Sequence, residues 1–91
     1  MRAADDATQR KILNRLKRAR GQLDAVIREV EGEGSCRDVV TQLAAVSTAL
    51  DRAGFAIVSS AMQNCLADPE KAAKEEKLTV EELEKLFLTL A

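Results

Sequence analysis

The sequence predicts an all-α protein built from two long antiparallel helices and a short C-terminal helix. Apolar side chains recur at three- and four-residue spacing through two long stretches, as on one face of a helix. A Gly-Glu-Gly segment at residues 32–34 separates these stretches, and no stretch alternates polar and apolar residues as a strand does. The 91 residues are predicted to form one domain.

The first predicted helix ends at about residue 31 and has an apolar stripe beside a basic run. Asp6 with Gln9 three residues later is a capping-box pattern, which predicts a helix start and leaves residues 1–5 as a disordered end. The apolar positions lie within an arc of about 100°. They are Ile12, Leu16, Ala19, Leu23, Val26, Ile27 and Val30.

The second predicted helix covers residues 35–66 and carries both cysteines, Cys36 and Cys65. A helix rises about 1.5 Å per residue, so the 29-residue separation would place the two thiols roughly 43 Å apart. A disulfide requires Cα atoms within about 7 Å. Gly54 is the candidate hinge, but a single glycine usually does not break a helix. Two chains lying antiparallel would instead place Cys36 of each beside Cys65 of the other, and this arrangement is the prediction.

After the second cysteine the sequence predicts a helix end and two short helices. Asp68 followed by Pro69 is typical of a new cap and a first-turn proline, and a short polar helix is predicted over residues 70–77. Thr79 with Glu82 is a second capping box, which opens the last helix. Its apolar positions are Leu83, Leu86, Phe87 and Leu90.

Composition limits the classes of function. The chain has no histidine, which excludes Ser-His-Asp and Cys-His catalysis and any histidine-containing metal site. It also has no glycine-rich phosphate loop, and we predict neither enzymatic activity nor a cofactor. No apolar run approaches the roughly 18 residues of a membrane span, and the N-terminal residues lack a signal-peptide core, so the predicted location is cytoplasmic. A small chain with two aromatic residues favours an oligomer.

The two cysteines are candidates for chemistry. Cys36 lies in the first predicted turn of its helix, where free N–H groups, the helix dipole and Arg37 favour the thiolate. Cys65 lies near a helix end of the opposite polarity, and as a single residue it is equally well interpreted as a small buried hydrophobe. We predict that Cys36 attacks first and that Cys65 of the partner subunit resolves the product.

A basic run precedes the first glycine. Its ordinary interpretation is a solvated helix face, and its functional interpretation is contact with the phosphates of double-stranded DNA, read partly through shape. Aromatic platforms for single strands are absent from the sequence. The basic residues are Arg10, Lys11, Arg15, Lys17, Arg18 and Arg20, and acids dominate the chain from Asp68 onward.

Several short motifs together resemble the copper-sensing operon repressor (CsoR) family of small all-α bacterial transcriptional repressors. The motifs are RLKRARGQ at residues 15–22, CRD at 36–38, TQLAAV at 41–46, AL at 49–50, and Cys65. The resemblance covers roughly residues 9–90. It implies an antiparallel dimer, two dimers forming a flat homotetramer, and operator DNA bound across the basic faces. The DNA contacts it implies are Arg15 and Arg52, supported by Lys17, Arg18 and Arg20.

Two positions depart from the pattern of the copper-sensing members. Those members bind Cu(I) through both cysteines and a histidine four residues before the second. That position is Ala61 here, and Ser35 replaces a tyrosine near the metal, although Glu81 keeps an acidic partner. Without the nitrogen ligand, the chain is most similar to the persulfide-sensing CstR branch. That likeness implies that persulfides or polysulfides join Cys36 to the partner's Cys65 through a di-, tri- or tetrasulfide. DNA is then released and sulfide-detoxification genes are expressed.

Two alternatives stay open. The first is a Cu(I)-responsive repressor that uses the two thiolates, with Met62 as a third soft ligand, although packing is the commoner role for such a methionine. The second is a redox-responsive helical adaptor that binds protein and not DNA. Binding of double-stranded operator DNA, weakened by substitution of Arg15 or Arg52, would exclude the adaptor.

Overall fold

The computed structural model describes residue 1 and residues 4–91, and these residues form helices without any strand, as predicted. The elements in chain order are α1 (Asp6–Glu31), α2 (Cys36–Ala67), α3 (Pro69–Lys71), a π-helical turn (Ala72–Glu76) and α4 (Val80–Leu90). Helices α1 and α2 form an antiparallel hairpin, and the elements that follow fold back onto the C-terminal half of α2. The result is flat, with extents of 54 × 26 × 14 Å.

The start of α1 differs by one residue from the prediction. Asp5, and not Asp6, is the N-cap, because its carboxylate accepts a hydrogen bond from the Thr8 backbone N–H at 2.7 Å. The hydrogen bonds from Thr8 hold the pKa of Asp5 below its ordinary value. The predicted disorder of residues 1–5 falls in part on residues 2 and 3, which lie outside the described residues.

The other predicted caps are confirmed. Ser35 accepts from the Asp38 N–H at 3.1 Å, Asp68 accepts from the Lys71 N–H at 3.1 Å, and Thr79 accepts from the Glu82 N–H at 3.2 Å. The polar helix predicted over residues 70–77 starts at Pro69 and finishes in the π-helical turn. It ends at Lys77, whose φ of 53° lies in the left-handed region.

A narrow seam holds α1 against α2. The buried side chains repeat every seven residues, which is the spacing of a single row in an antiparallel pair of helices. They are Ile12, Ala19 and Val26 in α1, and Val46, Ala53 and Ser60 in α2. The other large side chains of the predicted α1 stripe stay 38–66% exposed. The hairpin therefore buries only part of the apolar surface that its sequence provides.

A second cluster lies at the C-terminal end of α2. Ala61, Cys65, Ala72 and Leu83 are buried there together. Further along, the Phe55 and Phe87 rings lie 5.4 Å apart. Gly54 lies within the continuous helix α2, and a Cβ placed on it would meet Leu90 Cδ2 at 2.6 Å. Gly54 therefore gives room for α4 to approach, and the helix does not bend back there.

Within the described part of the chain, no helix combines the length and apolar character that crossing a membrane requires.

Candidate functional site

Three arginines of the predicted DNA-contact set lie together in one groove, which we call the basic groove. Arg15 and Arg18 come from α1, and Arg52 comes from α2. The Arg15 guanidinium donates to the Arg52 backbone carbonyl at 3.4 Å, which links the two helices at this point. The groove has a volume of about 630 Å³, and its lining residues are Arg15, Arg18, Gln22, Ala45, Thr48, Ala49 and Arg52.

Helical spacing explains this grouping. Residues three and four apart share one side of a helix, so Arg15, Arg18 and Gln22 form a row on α1. Ala45, Ala49 and Arg52 form the facing row on α2 by the same rule, and the two alanines leave the space between the arginines open. The combination of cationic walls and small side chains suits a phosphate backbone.

Lys17 and Arg20 do not join the groove, although the resemblance grouped them with it. Arg20 follows Leu16 by four residues and precedes Leu23 by three, so it lies on the apolar side of α1. Lys17 is exposed and does not line the groove. The roles of Lys17 and Arg20 in DNA binding stay predictions.

Two glutamines extend the polar surface beside the groove, and residue-by-residue reasoning on charge did not select them. The side-chain oxygens of Gln22 and Gln42 are buried and have no hydrogen-bond partner among the described residues. Both side chains line a cavity of about 120 Å³ next to the basic groove. The sequence did contain a signal for Gln22: it follows Arg18 by four residues, which places both side chains on the same side of α1.

The two thiols lie at opposite ends of α2 and both are free. Because α2 is one continuous helix, the predicted separation of roughly 43 Å applies and the two cysteines of one chain do not meet. Cys36 and Cys65 nevertheless lie on the same face of α2. An α-helix turns by about 100° per residue, so 29 residues correspond to eight full turns plus about 20°. Cys36 is exposed, whereas Cys65 is only 2% exposed.

Cys65 is enclosed by apolar groups. Its thiol donates weakly to the Leu78 carbonyl at 3.9 Å, and Ala61, Ala72 and Leu83 surround it. Met62 packs against the same cluster. The described residues contain no group of three or more histidine, cysteine or acidic side chains placed to hold a metal. One chain therefore offers a single thiol at each end, and a site that uses both thiols requires a second chain.

An apolar face occupies the side of the hairpin that carries the cysteines. Large side chains there are 38–50% exposed, and Leu13, Leu16 and Ile57 line one shallow cavity on it. Six of these exposed side chains are Leu13, Leu16, Leu23, Ile27, Leu43 and Leu50. On α2 this face points away from Arg52, because Arg52 is about 140° around the helix from Cys65.

Comparison with known proteins agrees with the predicted family. A family model described as a metal-sensitive transcriptional repressor matches residues 8–89. The copper-sensing transcriptional repressor CsoR of Mycobacterium ulcerans (strain Agy99) is 42% identical over 59 residues, covering 65% of this chain and 50% of the relative. The CsoR of Mycobacterium tuberculosis (strain ATCC 25618 / H37Rv) is 38% identical over 61 residues, covering 67% and 51%.

The chain spans about half the length of the curated relatives it matches. No solved structure matches it significantly. The family model, in contrast, covers nearly every residue from α1 to α4. The chain belongs to the metal-sensitive transcriptional repressor family.

Proposed function

We propose that this chain is a transcriptional repressor that binds double-stranded operator DNA through the basic groove. It releases the DNA when a Cu(I) ion joins Cys36 of one protomer to the partner's Cys65. The observation that carries the proposal is the division of the hairpin into two sides. Arg15, Arg18 and Arg52 line one side, and the thiols lie at the two ends of the other.

Surface area supports an assembly of more than one chain. The chain exposes 6929 Å², whereas a compact monomer of 9.9 kDa would expose about 5,200 Å². The excess of about 1,700 Å² per chain amounts to about 3,400 Å² for two chains, which is in the range that obligate homodimer interfaces bury. Burial of the apolar face against a second copy removes this excess. The flat tetramer that the family resemblance implies would need a further contact and stays a prediction.

The spacing of the cysteines defines how two copies would pair. An isologous antiparallel dimer has a two-fold axis, so when residue i of one protomer contacts residue j of the partner, residue j of the first also contacts residue i of the partner. Leu50 lies midway between Cys36 and Cys65 on the same face and is 48% exposed. An axis passing beside Leu50 places Cys36 of each protomer at the end of α2 where the partner's Cys65 lies.

The donor atoms fit Cu(I), because soft thiolate ligands select this soft ion over harder metal ions. Two cysteine thiolates from two protomers would supply this chemistry, and Met62, which packs against the Cys65 cluster, would be a further soft donor. The family description and the curated relatives, named as copper-sensing repressors, support the metal over other inducers. When bound, the ion would fix the two protomers relative to each other, and the spacing of their basic grooves would follow.

A second candidate inducer is sulfane sulfur. It is favoured because the chain lacks the histidine nitrogen that would complete a Cu(I) site, whereas sulfane sulfur needs only the two thiols. The chain has no histidine, and Ala61 occupies the place where copper-sensing members carry one. The Cys36 thiolate would take the outer sulfur of a hydropersulfide and release the donor as a thiolate. The partner's Cys65 thiolate would then displace hydrosulfide from that persulfide to give a disulfide. If both cysteines carry a persulfide, the same displacement leaves a trisulfide.

One experiment tests the repressor and its inducer together. DNA from upstream of the chain's own gene is titrated with reduced protein, and binding is followed by fluorescence anisotropy at several salt concentrations. Tight binding that weakens steeply with salt supports the repressor, and its absence would favour the protein-binding adaptor. Stoichiometric Cu(I) should then release the DNA. Release by polysulfide alone, with a crosslinked dimer whose mass fits disulfide or trisulfide bridges, would assign the inducer to sulfane sulfur.

A further inference from the structure

We propose that residues 69–90, which we call the C-terminal arm, form a cover that withholds the Cys65 thiol until the arm moves. The cover makes Cys36 the first thiol to react with any reagent and makes arm displacement a condition for joining the two cysteines. This inference concerns the regulation of the thiol pair in the proposed function, but its test needs neither DNA nor an inducer.

The cover consists of groups that belong to the arm. Cys65 lies two residues before the end of α2, a place where a side chain is ordinarily open to solvent, yet it is 2% exposed. Ala72 of the π-helical turn is 1% exposed and Leu83 of α4 is 3% exposed, and both pack in the Cys65 cluster. The Leu78 carbonyl accepts the thiol hydrogen at 3.9 Å. Without the arm, these three contacts are lost and the thiol faces solvent.

The arm can move without disturbing the hairpin. Its helices pack on α2, and no described Cα atom of α4 lies within 8 Å of one in α1. The seam of the hairpin, from Ile12 to Ser60, contains no residue of the arm. Segments with few buried contacts open locally at lower free energy than the whole fold. Leu83 is the buried residue of α4. Phe87 and Leu90 of α4 also lie against α2, at Phe55 and Gly54.

The closed arm also contains three unfavourable features. The turn Ala72–Glu76 is π-helical, a rare geometry that often marks a functional site. Lys77 has a φ of 53°, a conformation that L-residues other than glycine seldom adopt. The Glu76 side chain has a buried oxygen without a hydrogen-bond partner in the described chain. All three lie in the segment that connects the covering residues Ala72 and Leu83, where a hinge would be.

The difference in exposure between the two thiols predicts the order in which they react. A reagent meets Cys36 at the open start of α2, while Cys65 reacts only in the fraction of molecules whose arm is open. A ligand that joins both thiols binds the open state alone and shifts the arm toward it. The arm is therefore the element whose position changes when the cysteines are joined.

Peptide-resolved alkylation of the reduced full-length chain tests the cover. Brief exposure to iodoacetamide, followed by digestion and mass spectrometry, gives separate rates for the two cysteines in one sample. Cys36 should react about tenfold or more faster than Cys65. Leu83→Ala removes a covering side chain and should raise the Cys65 rate about tenfold, with the Cys36 rate unchanged. Leu88→Ala, the same change at a residue of α4 that is 72% exposed, is the control and should alter the Cys65 rate less than about twofold.

A second variant opens the arm without removing a buried atom. Lys77→Val places a β-branched residue at a positive φ, which strains the closed arm, and it should raise the Cys65 rate several-fold. Equal reaction rates of Cys36 and Cys65 in the unmodified chain would overturn the cover. So would equal effects of Leu83→Ala and Leu88→Ala together with no effect of Lys77→Val. Failure of DNA binding would overturn the repressor and leave these rates unaffected.

Discussion

On one side of the α1–α2 hairpin, Arg15, Arg18 and Arg52 line a groove between small side chains, and a hydrogen bond from Arg15 links its two walls. On the other side, five leucines and Ile27 are 38–50% exposed, and of the two cysteines on that side one is exposed and one is buried. Both surfaces are formed by the same two helices, and each surface consists of the side chains on a different face of those helices. The three arginines of the basic groove come together within a single chain. The apolar side leaves surface that a second chain would bury, so assembly and DNA contact can be altered separately.

The largest expected effect follows from a charge on the apolar side. Leu50→Glu would place a carboxylate beside its own copy across the proposed two-fold axis, where burial leaves it unpaired. We expect the dimer dissociation constant to rise about a thousandfold or more. Sedimentation velocity over a range of concentrations measures it. Thr48→Glu adds the same charge in the basic groove and should leave assembly intact while weakening DNA binding. If both variants assemble normally, the apolar face is not the interface.

The next effect concerns the thiol pair. Cys36→Ser and Cys65→Ser should each abolish the response to Cu(I) or polysulfide while the reduced proteins still bind DNA. Mixing the two variants forms dimers in which one protomer supplies Cys36 and the other supplies Cys65. Such mixtures should regain crosslinking or metal binding at one of the two sites, because the pair joins different chains. Intact-mass analysis of the mixture checks this, and crosslinking in neither mixture nor parent chain would contradict the pairing.

A smaller effect is expected on the basic side. Arg52→Ala removes one groove cation from each protomer and should weaken operator binding about tenfold or more, with a shallower dependence on salt. Lys17→Ala and Arg20→Ala are matched changes outside the groove and should have smaller effects. Anisotropy titrations at several salt concentrations measure all three. A loss for Lys17→Ala equal to that for Arg52→Ala would extend the DNA surface beyond the groove.

The smallest effect lies at the start of α1, which belongs to neither side. Asp5→Ala should lower the melting temperature slightly at neutral pH, whereas Asp5→Asn keeps a capping oxygen and should change it less. Hydrogen bonds from Thr8 lower the pKa of Asp5 in the folded chain below its ordinary 3.8. The stabilisation is therefore complete above that value and is lost as the pH falls through the folded-state pKa. Thermal melts at neutral and strongly acidic pH should show the difference between wild type and Asp5→Ala disappearing in acid.

Most of the architecture was accessible from local sequence patterns. The caps at Ser35, Asp68 and Thr79 and the continuity of α2 through Gly54 were predicted and are confirmed, because capping and helix propagation depend on neighbours along the chain. The predicted repressor family is confirmed as well. The narrower assignment to the persulfide-sensing branch stays a prediction, since it rests on the absent histidine and on Ala61.

The sequence by itself determined the helices, their ends, the distance between the two thiols and their shared face, all of which follow from the fixed rise and rotation of an α-helix. Only the tertiary structure decided which side chains each helix presents to the other. It reduced a seven-residue stripe on α1 to three buried positions and grouped Arg15 with Arg52. It also closed the C-terminal arm over Cys65. These outcomes depend on contacts between residues far apart in the chain, which the order of residues within one helix does not specify.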